Sequence, residues 1–285
     1  MMLAAVPEKT MKRAIVINSF GRGGSNILMN MIGSSPGVLM AGKEFWQFYH
    51  DGPSLAPKIY RRLGVRPGKM VSKSRFSARR FRDRLGKSIE ESISTDYQLW
   101  KGRGLGLDFV DYVLFKVTEY DIFLNAEIQS QFDETIFIGL VRNGYGLCDS
   151  WKRRGTPAKM SGKIYGHIAG QMVSERNSRQ NFILVRFEDL LSDPVAFLDR
   201  LYERLTLPLP HEASYLHRPK GFGPGREDAA SGNRPMQIVH KSYWGALLDR
   251  NINAAAFDRL TRDDLNDFNR HGSGVMEELY ELRWK

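Results

Sequence analysis

Only one of the 285 residues is a cysteine, Cys148. That excludes an intramolecular disulfide framework and any Cys₄ or Cys₂His₂ zinc site, and it fits a reducing compartment. Long apolar runs are missing too. The longest uncharged stretch, residues 23–42, is interrupted by Asn26, Asn30, Ser34, Ser35 and Pro36, whereas a membrane-spanning helix needs about 20 mainly apolar residues. The opening MMLAAVPEKTMKR lacks the apolar core of a secretory signal, so a soluble, cytoplasmic protein is expected. Acids are scarce: 32 Asp and Glu face 42 Lys and Arg, a formal charge of +10. The rest of the composition, 42% hydrophobic and 26% charged, belongs to a folded chain rather than a disordered or collagen-like one.

The excess charge is concentrated. Residues 58–87 hold twelve Lys and Arg and one acid, Asp83. Such density repels itself unless an anion lies nearby. An anionic substrate, a nucleic acid and a merely solvated basic surface all fit. Nucleic-acid binders interleave aromatics for stacking. This segment has only Tyr60, Phe76 and Phe81 among its thirty residues, so no nucleic-acid partner is expected.

Apolar, β-branched runs predict buried parallel strands at residues 14–18, 38–40, 112–117, 135–141 and 182–186. Helical spacing follows several of them, most clearly in PVAFLDRLYERL at 194–205. Residues 211–241 are polar and rich in Gly, Pro and Arg, as in a long binding loop or lid. Residues 257–284 suggest two helices parted by His271-Gly272-Ser273-Gly274. The alternation predicts an α/β fold: a P-loop-like parallel sheet flanked by helices on both faces. With no linker or internal repeat, one domain is expected over 1–285, with a core of about 13–250 and a C-terminal helical segment at 251–285.

The first strand runs into Ser19-Phe20-Gly21-Arg22-Gly23-Gly24-Ser25-Asn26 and then a helix. A helix starting there aims backbone N–H groups and its positive dipole end at the turn. The glycines admit close approach of an anion, Ser25 and Asn26 add side-chain donors, and Arg22 adds a fixed charge. No Lys precedes Ser25, so the Walker A pattern of ATPases is not met. The Rossmann fingerprint fails as well, since Asn26 stands at its third glycine.

Arg22-Gly23-Gly24-Ser25-Asn26 resembles the 5′-phosphosulfate loop of the sulfotransferases that use 3′-phosphoadenosine 5′-phosphosulfate (PAPS). FIGLVRNGYGLCDSWKRR at 137–154 resembles their 3′-phosphate segment, in which a strand-end Arg precedes a Ser by eight residues, here Arg142 and Ser150. VRFEDLLSDP at 185–194 and Lys241-Ser242-Tyr243-Trp244 are similar to later motifs of the family, in the same order. Gly23 and Asn26 replace hydroxyl residues of the loop, and Asn143-Gly144 replaces Asp/Asn-Pro.

The resemblance implies sulfuryl transfer from PAPS to a hydroxyl on a carbohydrate or small metabolite, with PAP as product and no metal. Arg22, Gly23, Gly24, Ser25 and Asn26 would hold the 5′ end. Arg142 and Ser150 would hold the 3′-phosphate, with Arg226 and Lys241 closing over it. Lys116 is similar to a family lysine aimed at the site; alternatively it is an edge-strand lysine in solvent. Glu44 is the first candidate for general base, unless it is a surface carboxylate paired with Lys43. His50 and Glu119 stand behind it. Glu188 and Asp189 read as capping carboxylates, and Cys148 as buried filler. Two rivals remain: an ATP-dependent kinase with a degenerate P-loop, and a non-catalytic polyanion binder.

Overall fold

A computed structural model describes residues 12–42, 45–48, 76–102, 110–210, 214–217, 237–248 and 253–280. Its centre is a five-stranded parallel sheet in the order β2-β3-β1-β4-β5. The strands are β1 (Arg13–Ser19), β2 (Val38–Met40), β3 (Tyr112–Thr118), β4 (Glu134–Val141) and β5 (Phe182–Arg186). β1 pairs with β3 on one side and β4 on the other, so Ile17 lies between Lys116 and Ile138. The three central strands are covered on both faces. That is why they read as near-continuous apolar runs rather than alternating ones.

Helices fill both faces. Against one lie α1 (Ser25–Ile32), α6 (Phe187–Ser192) and α7 (Pro194–Leu205), which pack Leu28, Met31, Leu190, Leu198 and Leu201 onto Ile15, Ile17 and Leu114. Against the other lie α2 (Ala78–Gly102), α4 (Gly144–Lys152), α5 (Ala158–Ser178) and α10 (Arg262–Tyr280). Their Phe81, Leu85, Leu147, Ile164 and Phe268 meet Val16, Phe115 and Phe137. A 3₁₀ turn at Glu119–Leu124 leads from β3 into the short α3 (Asn125–Gln129). The helix after β1 covers one face and the helix after β4 covers the other. The crevice beyond the carboxyl ends of β1 and β4 is the natural ligand position in such a sheet.

Two expectations need correcting. Residues 262–280 form one unbroken helix through His271-Gly272-Ser273-Gly274. The glycines there and on α5 serve close packing instead. A Cβ on Gly162 or Gly166 would overlap the α10 backbone at Phe268 O or His271 O, and one on Gly272 would press on Phe268. In addition, the segment 211–241 is not all loop. It begins and ends in strands β6 (Ser214–His217) and β7 (Gln237–His240), paired antiparallel. They are followed by the short helices α8 (Tyr243–Leu247) and α9 (Ala254–Phe257).

Gly166→Ala should therefore destabilise the fold by ~2 kcal/mol or more through overpacking. Gly170→Ala, whose Cβ would meet nothing nearer than Val275 at 3.7 Å, should be neutral or stabilising by up to ~1 kcal/mol. Chemical denaturation of the two variants checks the pair, and equal effects would contradict the packing account.

Candidate functional site

The turn after β1 is built by backbone geometry. Gly24 is left-handed at φ 90 and ψ 4, and it caps α1. Any Cβ there would overlap the Phe187 ring, so glycine is required twice over. Arg22 is also left-handed at φ 76, a strained state for a side chain with a Cβ. Three contacts hold it. Gly23 N–H donates to Phe20 O at 3.0 Å, Trp151 Nε1 donates to Gly21 O at 3.0 Å, and Arg142 Nη1 donates to Arg22 O at 2.9 Å. Below the turn, the Phe20 ring stacks on Tyr165 with centroids 5.2 Å apart. Ser25 is buried at the start of α1.

Arg142 directly follows β4, with 6% exposure. Its Nε donates to Asn253 Oδ1 at 3.1 Å, and its guanidinium lies 5.3 Å from the Phe187 ring centre. Nη2 makes no hydrogen bond among the described residues. Burial, and beyond it the charges of Arg22 and Arg153, hold Arg142 below the ordinary arginine value, while Glu188 opposes them. Glu188 is the hub of this corner. Its Oε1 accepts from Asn143 N at 2.9 Å and Asn253 Nδ2 at 2.6 Å, and its Oε2 accepts from Tyr280 Oη at 2.8 Å. Ser150 sits two turns along α4 from Arg142 and is buried. Asp189 pairs with Arg186 at 2.8 Å. Both carboxylates thus hold structure, as their place at a strand–helix junction suggests.

Lys116 lies in the interior strand β3 with 5% exposure, which rules out a solvent-facing edge position. Its Nζ donates to Asn26 Oδ1 at 2.5 Å, tying β3 to the first turn of α1. Glu119 follows β3 with φ 58. Its Oε1 occupies the space beside the turn, 2.9 Å from where a Gly21 Cβ would be. The structure therefore brings Arg22, Gly23, Gly24, Ser25, Asn26, Lys116, Glu119 and Arg142 to one end of the sheet.

Other expected residues fall elsewhere. Lys241 is paired with Asp199 on α7, its Nζ 2.5 Å from Oδ1. Lys43, Glu44, His50 and Arg226 lie outside the described residues, as does most of the basic segment 58–87. Cys148 is fully buried, and burial pushes its thiol up to about 11. Among the described residues, no group of three or more His, Cys, Asp or Glu gathers as a metal would require, and no helix is long and apolar enough to cross a membrane. Sequence reasoning missed Asn253, Trp151 and Phe187. Each acts through a contact spanning 111, 130 or more than 150 residues, so no local pattern signals it.

Comparison of the coordinates with solved structures decides the fold family. The chain superposes on the sulfotransferase domain of an olefin synthase from Synechococcus PCC 7002 with a TM-score of 0.52 and 15% identity, covering 99% of this chain and 100% of that one. The chain has a sulfotransferase-like fold. A sulfotransferase domain from the curacin biosynthetic pathway gives a TM-score of 0.50 at 16% identity, covering 93% of this chain and 98% of that one. At such identity the likeness is one of fold. No family model matches the sequence, and no curated protein matches it either.

Next to Glu119, Asp121 is pushed up to about 7 by burial and, less, by the Glu119 charge. The folded state thus keeps a proton that the unfolded chain has lost between pH 3.8 and about 7. Its contribution to stability must fall as pH rises through that window. Asp121→Asn should raise the thermal midpoint more at pH 8 than at pH 5. An equal change at both pH values would contradict the burial of this carboxyl.

Proposed function

We propose that the chain transfers a sulfuryl group from PAPS to an acceptor hydroxyl on a carbohydrate or small metabolite. The observation that carries this reading is the pairing of a left-handed, glycine-capped turn at Arg22–Asn26 with a buried Arg142 at the neighbouring strand end, linked by the Arg142–Arg22 hydrogen bond. The donor set fits a polyanion. It consists of backbone N–H groups at a helix start, two guanidiniums, an ammonium and two buried hydroxyls.

Arg22, the amides of Gly24 and Ser25, the Ser25 hydroxyl and the Asn26 amide would hold the phosphosulfate. Arg142 Nη2 and Ser150 would hold the 3′-phosphate. Arg226 and Lys241 remain candidates for closure, and Lys241 would have to leave Asp199 to take part. The donor, when bound, supplies a sulfuryl group whose S–O bond to the 5′-phosphate breaks as a new S–O bond forms to the acceptor. The protein's share is positioning and charge stabilisation. Arg22 and Lys116 favour the negative charge that develops on the leaving oxygen. Glu119 accepts the acceptor's hydroxyl proton on its carboxylate, a reading supported by its place against Gly21. Glu44 and His50 are the other candidates.

The test measures PAP release from PAPS with a panel of sugars and small alcohols, alongside PAP affinity. Glu119→Gln should lower turnover by about a hundredfold or more and leave PAP affinity within about twofold. If Glu44→Gln alone does this, Glu44 is the base. If ATP and Mg²⁺ replace PAPS in turnover, the kinase reading is correct instead.

A further inference from the structure

The buried charge of Arg142 is kept apart from the carboxylate of its own corner. Glu188 acts on Arg142 through its negative charge, yet the two make no hydrogen bond or ion pair among the described residues. Between them stands the carboxamide of Asn253. Its Oδ1 accepts from Arg142 Nε at 3.1 Å, and its Nδ2 donates to Glu188 Oε1 at 2.6 Å.

This bridge admits one orientation. A guanidinium only donates, and an ionised carboxylate only accepts. An amide turned the other way would set donor against donor and acceptor against acceptor. The network therefore assigns the oxygen to Arg142 and the nitrogen to Glu188. An acid at 253 would offer acceptors to both sides, attracting Arg142 and repelling Glu188.

The surroundings leave room for the amide. Gly146 lies on the first turn of α4, and a Cβ there would be 2.3 Å from Asn253 Oδ1 and 3.4 Å from Arg142 Nε. Nη1 of Arg142 is engaged by Arg22 O at 2.9 Å. Two neutral oxygens thus occupy Nε and Nη1. The Glu188 oxygens are taken by Asn143 N, Asn253 Nδ2 and Tyr280 Oη. Arg142 keeps its charge without a bonded acid, and Nη2 remains as a donor. An arginine already in a bidentate carboxylate pair would have to give up that pair before binding a phosphate; one held by neutral oxygens does not.

We propose that Asn253 is a positioning residue for recognition of the 3′-phosphate. Its neutral carboxamide holds Glu188 off Arg142, so the guanidinium keeps both its charge and Nη2 for the ligand. The inference rests on the sulfuryl-transfer reading, in which Arg142 and Ser150 take the 3′-phosphate, and it adds a residue that acts through Arg142.

The experiment is a calorimetric titration of the unaltered protein, Asn253→Asp and Asn253→Ala with PAP and with AMP. The readout is the ratio of the two affinities, because a purely structural loss weakens both nucleotides together. Asn253→Asp is nearly isosteric and places a carboxylate on Arg142. It should cut the preference for PAP over AMP by about tenfold or more and leave AMP affinity within about threefold. Asn253→Ala removes the spacer without adding charge, and the preference should fall in the same direction. If the preference is unchanged in either folded variant, or both nucleotides weaken equally, the spacer role is refuted while the donor reading stands. If the unaltered protein does not prefer PAP to AMP, the donor reading falls and takes this inference with it.

Discussion

A guanidinium at 6% exposure is the constraint around which this end of the sheet is organised. Burying an unbalanced charge costs several kcal/mol. Arg142 is not given a bidentate carboxylate. It donates to two neutral oxygens, Arg22 O and Asn253 Oδ1, while Glu188 supplies negative charge nearby with its oxygens already engaged by Asn143, Asn253 and Tyr280. The arrangement fixes three things together: the left-handed Arg22, the approach of the segment around Asn253, and the C-terminal end of α10 at Tyr280. Among the described residues it also leaves Nη2 as a donor without a hydrogen-bond partner, which suits a ligand phosphate.

The fold delivers this corner through topology rather than local preference. β1 and β4 are neighbours though 121 residues separate Arg13 from Glu134, and their following helices pack on opposite faces. Lys116 and Glu119 arrive from β3 on the other side of β1. The glycines do two separate tasks. Gly24 permits the turn and the Phe187 contact, whereas Gly162, Gly166 and Gly272 let α5 and α10 approach closely. That approach brings Tyr280 to Glu188 and so returns to the support of Arg142.

The parallel strands were legible because their burial on both faces writes itself as continuous apolar runs. Three observed strands extend one residue beyond the predicted bounds at one or both ends, and 38–40 and 182–186 coincide with them. The turn at 21–26 and the Arg142–Ser150 spacing were legible because the signal is local. The C-terminal helix was misread because glycine breaks a helix only when nothing packs against it, and here Phe268 and α5 do. Strands β6 and β7 are four residues each and sit at the ends of a Gly- and Pro-rich stretch, too short for periodicity to register. Asn253, Trp151 and Phe187 were invisible because their meaning lies in long-range contacts. Nothing local in the sequence signals that the Glu119 carboxylate lies against Gly21.

The central claim is that Arg142 and Ser150 recognise a phosphate at the 3′ position of the donor. Replacing Arg142 would disturb the Arg22 and Asn253 contacts as well, so the phosphate is better removed from the ligand. Calorimetric titration of the unaltered protein with PAP and with AMP, which differ by that phosphate, isolates it. Charge-assisted contacts of this kind are worth about 1.5–3 kcal/mol each, so PAP should bind about a hundredfold more tightly than AMP. Equal affinity for the two nucleotides, or no binding of either, would contradict the account.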